Sequence, residues 1–174
     1  LDKFIRAAAD FMVSFIDKKT GLPKETYDLW EEKLGIHAFT CATVFAGLNA
    51  AANFEKTFGT KEGEKKYLNA AESIKKAILK YLYDEELGYF IKMVYYDGEE
   101  LKKDTTLDFS SAYGIFQFGV LDSDDKRVES SINSCLERLK CNTSTGGFAR
   151  YTDDYYFRID KQGTPGNPWF ITSL

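Results

Sequence analysis

The run AFTCATVFAGLNAAANFEKT at residues 38–57, followed by EKKYLNAAESIKKAILKYL at 64–82, decides the fold class. The first run is crowded with Ala and Gly on one side, and such small side chains let a neighbouring helix approach closely, so an inner helix is expected. The second puts Leu68, Ala71, Ile74, Ile78, Leu79 and Leu82 on one stripe, with Lys65, Lys66, Lys75, Lys76 and Lys80 solvated. That is the pattern of an outer helix. Upstream, Leu1, Phe4, Ile5, Ala8, Phe11, Met12, Phe15 and Ile16 keep a 3.6-residue period until Lys18-Lys19-Thr20-Gly21 ends another helix. Downstream, Tyr89 to Tyr96 alternates as a strand, and Asp97-Gly98 is a turn pair closing a hairpin with residues near Leu101. A second inner and outer pair follows. Phe109, Tyr113, Phe116 and Val120 stripe residues 107–120, and Val128, Ile132, Cys135, Leu136 and Leu139 stripe residues 126–139. Residues 148–157 read as irregular or briefly extended, and Asn167-Pro168 as a helix start with a capping side chain and proline in the first helical position.

Composition narrows the function classes. With 44 % hydrophobic and 29 % charged residues the chain has material for a core, and it has no apolar run near the ~18 residues of a membrane span. No membrane partner is expected. A net charge of −4 argues against a nucleic-acid partner, which would require clustered Lys and Arg. Cys41, Cys135 and Cys141 lack the spacing of a disulfide framework or a zinc site, and buried free thiols are the expectation. The acidic residues at 84–86 and 122–125 lack the order of a calcium loop, so no metal and no cofactor are expected. Asp2, Lys3 and Arg6 interrupt a helical stripe instead of preceding an apolar run, so no signal peptide is read, which tilts the expected compartment toward the cytoplasm.

The chemistry sits at Tyr27-Asp28-Leu29-Trp30-Glu31-Glu32. Glycoside hydrolysis needs a carboxylic acid to protonate the leaving oxygen, and aromatic rings both stack on sugar C–H faces and lower the local dielectric. Glu31 and Glu32 offer the acid; Tyr27 and Trp30 offer the rings. The plainer reading is an acidic loop entering a helix, where carboxylates favour the first turn. The flanks bear on the choice. Gly21-Leu22-Pro23, the acidic cluster, Gly35-Ile36-His37-Ala38-Phe39-Thr40 and Gly47-Leu48-Asn49-Ala50-Ala51-Ala52 form one block; Arg150-Tyr151-Thr152-Asp153-Asp154-Tyr155 and Gly166-Asn167-Pro168-Trp169-Phe170 form a second. In order and spacing, these blocks resemble the glucoamylase family of glycoside hydrolases (family 15).

The resemblance implies a mainly α fold, part of an (α/α)6 toroid of inner and outer helices of the six-hairpin glycosidase type, with a short β-hairpin excursion. At about eleven residues per average helix, the chain supplies about half of such a toroid. Residues 1–174 are then the central part of a single catalytic domain truncated at both ends, expected as an open, sheet-free arc of helices with apolar edges. By the same resemblance Glu31 is the general acid of an inverting, exo-acting α-glucosidase. Glu32 holds the sugar on the leaving-group side, Arg150 and Asp154 bind hydroxyls, and Tyr27, Trp30 and Trp169 flank the sugar. Asp28 orients the loop backbone, and His37, the one histidine, fills a satisfied hydrogen-bonding position. The catalytic base falls beyond the Asn-Pro-Trp helix, so the segment alone is expected to be inactive. Substrates are α-glucans or small glucosides, with trehalose and dextran ends within the same fold's reach, and the remainder of the catalytic domain is the expected partner. The other function class is a toroid that has kept the fold without the chemistry, as a carbohydrate-binding or regulatory module.

Overall fold

A computed structural model describes residues 2–159 and 163–173. Leu1, the first position of the expected helical stripe, lies outside the described residues. The order is α1 (Asp2–Ser14), β1 (Thr26–Tyr27), β2 (Leu34–His37), α2 (Ala38–Phe58), α3 (Lys61–Tyr81), β3 (Tyr83–Asp84), β4 (Tyr89–Asp97), β5 (Glu100–Leu107), α4 (Phe109–Gln117), α5 (Lys126–Arg138) and α6 (Phe170–Ser173).

Both long helices form where the period places them. α2 buries Ala38, Cys41, Ala42, Phe45, Leu48, Ala51 and Ala52, a face of mostly small side chains, and packs along α3 and α4. α3 starts at Thr60, whose side chain accepts the Gly63 N–H, with Glu62 and Glu64 in the first turn where the helix dipole favours them. Its buried face is Tyr67, Ala71, Ile74, Ala77 and Ile78. Leu68, expected on that stripe, is 39 % exposed. Tyr67 takes the core position instead, because its ring can be buried while its hydroxyl donates to Asp10 on α1 at 2.8 Å. In α4 the buried residues are Ser111, Ala112, Gly114 and Ile115, and Tyr113 is 44 % exposed. α1 turns Ala9, Ile5 and Met12 to the core and leaves Phe4 and Phe11 outward.

The expected sheet-free arc is corrected by the strands. Five strands form one antiparallel sheet in the order β1-β2-β4-β3, with β5 also paired to β4. The hairpin is its centre: Asp97 pairs with Glu100 across the turn, and β4 is covered by α2, α4 and α5, so Tyr89 to Val94 are buried without alternation. Ser131 of α5 accepts the Phe90 N–H at 3.2 Å and donates to the Arg127 carbonyl at 2.6 Å, which pins α5 to this strand. The three cysteines are buried and free.

The expected helix start at Asn167-Pro168 also shifts. α6 begins at Phe170, and Asn167 does not cap it. Its amide instead donates to the Tyr156 and Phe157 carbonyls at 3.1 and 2.8 Å and accepts the Ile159 N–H at 3.2 Å, so it ties down the preceding loop. A short polar side chain that can bind backbone in either direction goes where more unpaired groups lie.

Candidate active site

The loop between β1 and β2 is built on one carboxylate. Asp28 is 6 % exposed and its Oδ1 accepts the backbone N–H of Glu32 at 2.7 Å and of Lys33 at 3.3 Å, while its carbonyl accepts the Glu31 N–H at 3.0 Å. This tight Asx-type turn sets Glu31 at φ +58°, a left-handed conformation that costs an ordinary residue about 1 kcal/mol or more. The other two described non-glycine residues at positive φ, Asp153 and Phe157, lie in or beside the second motif. Among the described residues, positive φ outside glycine thus falls only in or beside the two motif segments.

The turn gives the adjacent carboxylates different environments. Glu31 is exposed and its side chain has no hydrogen bond or ion pair among the described residues. Glu32 is clamped: Oε1 accepts from Arg150 Nη2 at 2.9 Å, and Oε2 accepts a short hydrogen bond from the Tyr151 hydroxyl. Burial, followed by the Glu32 carboxylate beside it, pushes the Tyr151 hydroxyl up, so it stays protonated and donating.

Arg150 is the centre of the second motif. Its Nε and Nη2 meet the two Asp154 oxygens at 2.7 Å each, a bidentate pair in which Asp154 is 0 % exposed. Four rings surround its guanidinium: Trp30 at 5.1 Å, Tyr151 at 5.2 Å, Tyr156 at 5.1 Å and Trp169 at 4.8 Å. The segment lies against the end of β5, with Phe109 N–H bound to the Arg150 carbonyl at 2.9 Å and Thr152 N–H to the Leu107 carbonyl at 3.0 Å. Gly166 allows the chain to pass close over it, because a Cβ there would stand 2.7 Å from the Asp154 Cβ.

Each sequence-derived candidate therefore has a definite place. Trp30, Glu32, Arg150 and Trp169 converge, Glu31 follows Trp30 in the chain with its side chain exposed, Asp154 lies fully buried behind Arg150, and Tyr27 is 63 % exposed on β1. His37 is 2 % exposed, with its Nε2 3.0 Å from the Lys33 carbonyl. An apolar cavity of about 520 Å³ lies against Leu29 and Trp30, walled by Phe39, Phe109, Tyr113 and Ile171. Neither Glu31 nor Glu32 lines it, so it lies off the carboxylates. No cluster of three or more His, Cys, Asp or Glu side chains among the described residues could hold a metal ion.

Sequence reasoning missed two residues beneath the loop. Lys92 and Asp108 are 2 % and 1 % exposed and form an ion pair at 3.0 Å; Asp108 also accepts the Trp30 indole N–H at 3.0 Å and caps α4 through Ser110. The signal was present in Phe90-Ile91-Lys92-Met93-Val94. A lysine inside an otherwise apolar buried strand must be paired with carboxylates.

Burial also sets a pH dependence. Desolvation holds the His37 imidazole below its ordinary value of 6.5 against the pull of Asp28, so the folded state keeps it neutral. The unfolded chain then binds the extra proton first, and stability is lost as pH falls from 6.5 toward the folded value. Asp28 acts lower down. Burial raises its pKa, the Glu32 N–H and Lys92 outweigh this, and the lowered result gives stability present above about pH 4 and lost on acidification through the folded value. Melting temperatures recorded against pH should fall below 6.5, and His37→Gln should flatten that first part of the slope; an unchanged slope in the variant would exclude His37 as its source.

The turn whose Glu32 is held by Arg150 and Tyr151 belongs to a protein of the glycosyl hydrolase class, as comparison with known proteins shows. Residues 4–174 match Glycosyl hydrolases family 15, and the chain belongs to that family. It is 30 % identical over 148 residues to an uncharacterized glycosyl hydrolase of Methanocaldococcus jannaschii, covering 85 % of this chain and 22 % of that protein. Among solved structures, a bacterial glucoamylase complexed with acarbose matches 97 % of this chain and 27 % of its own, with a TM-score of 0.74 at 22 % identity. A glycosidase variant in complex with glucose matches 84 % of this chain and 34 % of its own, with a TM-score of 0.65 at 20 % identity. The chain thus spans about a fifth to a third of the lengths of these relatives.

Proposed function

We propose that the chain is the central part of the catalytic domain of an inverting, exo-acting α-glucosidase that releases glucose from α-glucans or small α-glucosides. One observation carries this reading: of two consecutive glutamates, Glu32 is held by Arg150 and Tyr151 while Glu31 is exposed and unpaired among the described residues. Glu31 protonates the glycosidic oxygen as the bond to the anomeric carbon breaks. A second carboxylate, supplied by parts of the domain beyond residues 1–174, takes a proton from the water that attacks the opposite face, at roughly 6.5–9.5 Å from the acid. Glu32 and Arg150 bind hydroxyls on the leaving-group side, Trp30, Trp169 and Tyr27 line the sugar, and Asp154 serves the site by fixing Arg150. The helix pairs α2/α3 and α4/α5 are two hairpins of an (α/α)6 toroid whose other parts complete the site.

The direct test is glucose release from maltose, short α-glucans, trehalose and isomaltose by the intact protein, with the anomer of the first product followed by NMR. The β-anomer forms first if the reading is right. Release of the non-reducing-end glucose of maltose or isomaltose as the α-anomer overturns inversion, and binding of these sugars without turnover assigns the protein to the carbohydrate-binding class.

A further inference from the structure

β4 carries a charge where its neighbours are apolar. Lys92 stands between Ile91 and Met93, at the point where the β4–β5 ladder slips: Ile91 pairs with Leu107 but Met93 with Asp104, so β5 carries one residue more than β4. Such bulges re-aim side chains and recur beside active sites. Lys92 Nζ lies 3.0 Å from Asp28 Oδ2, 3.0 Å from Asp108 Oδ2 and 3.9 Å from the centre of the Tyr151 ring. Each of these partners holds a different piece of the site. Asp28 binds the N–H groups of Glu32 and Lys33, Asp108 binds the Trp30 indole, and Tyr151 binds the Glu32 carboxylate.

Three buried charges are a poor way to stabilise a core, since apolar side chains of similar volume commonly do as well or better. What the ion cluster supplies is a fixed geometry among three segments far apart in the chain. We propose that Lys92 is a positioning residue that locks the Glu31–Glu32 turn, Trp30 and Tyr151 into one arrangement, so that the acid is presented to the glycosidic oxygen. The proposal rests on the reading of Glu31 as that acid. It differs from a role in folding because it concerns one proton transfer: a substrate whose leaving group needs no proton should be nearly indifferent to it.

The test uses the intact protein with Lys92→Met and, as a charge-balanced companion, Lys92→Met with Asp108→Asn, which leaves the cluster's net charge unchanged because one cation and one of its two paired carboxylates are removed together. Two quantities are read: hydrogen exchange of the amides at 31–33, and turnover of maltose beside α-glucosyl fluoride, whose fluoride departs without protonation. In both variants the loop amides should exchange at least about tenfold faster while those of α2 and α3 keep their protection. Turnover should fall about 100-fold on maltose and less than about tenfold on the fluoride. Unchanged loop exchange, equal losses on the two substrates, recovery of maltose turnover in the charge-balanced variant, or general loss of protection in both variants each overturns the proposal. Should the unsubstituted protein hydrolyse neither substrate, the acid reading of Glu31 fails, and the exchange measurement alone still decides whether Lys92 holds the turn.

Discussion

Glu31→Gln is expected to lower glucose release from maltose by about 1,000-fold, the range a positioned general acid contributes, with little change in KM. The glutamine keeps the shape and cannot give up a proton. Because the Glu31 side chain makes no hydrogen bond or ion pair among the described residues, the variant should melt within a degree or two of the parent protein, as surface substitutions do. Loss of activity without loss of stability is therefore the signature. The deficit should shrink on α-glucosyl fluoride, and Glu31→Gln and Lys92→Met should share that leaving-group dependence, one by removing the acid and the other by misplacing it. Maltose turnover within tenfold of the parent would sink the assignment, and Glu32 would not be a ready substitute, since both of its oxygens are occupied.

Arg150→Leu is expected to damage both stability and binding. It strips a fully buried Asp154 of its bidentate partner, and an uncompensated buried carboxylate costs on the order of 3–5 kcal/mol. It also frees Glu32, whose hydrogen bond to a charged donor is worth roughly 1.5–3 kcal/mol, so kcat/KM on maltose should fall about 100-fold. Combining Arg150→Leu with Asp154→Leu separates the two effects. The double variant should regain most of the melting temperature, measured by calorimetry, because the stranded charge is gone. It should not regain activity. Restoration of kcat/KM in the double variant would show that Arg150 acts only by neutralising Asp154.

Local regularities in the chain account for much of the fold. The Ala-rich face of α2, the stripe of α3 and the Asp97-Gly98 turn each express short-range rules, and each element lies where those rules put it. Within the helices and loops the chain departs from these rules where two local choices are equally good, whereas the sheet depends on pairing between distant segments that no local rule contains. Tyr67 and Leu68 both suit a helix, and the core took the tyrosine because Asp10 was in reach of its hydroxyl. Asn167 suits a cap, and the loop at 156–159 claimed it first.

The amino-acid sequence alone determined which segments are helical, which hairpin forms, and which two motif blocks carry the carboxylates, the arginine and the tryptophans, because periodicity, turn chemistry and motif spacing are written within a few residues of one another. Tertiary structure alone decided which glutamate is clamped and which is free, that Asp154 lies behind Arg150, and that Lys92 joins Asp28, Asp108 and Tyr151. A charged side chain shows in the sequence that it needs a partner, but the partner of Glu32 is 118 residues away, and the two meet through the pairing of β2 with β4, of β4 with β5, and of residues 150–152 with the end of β5.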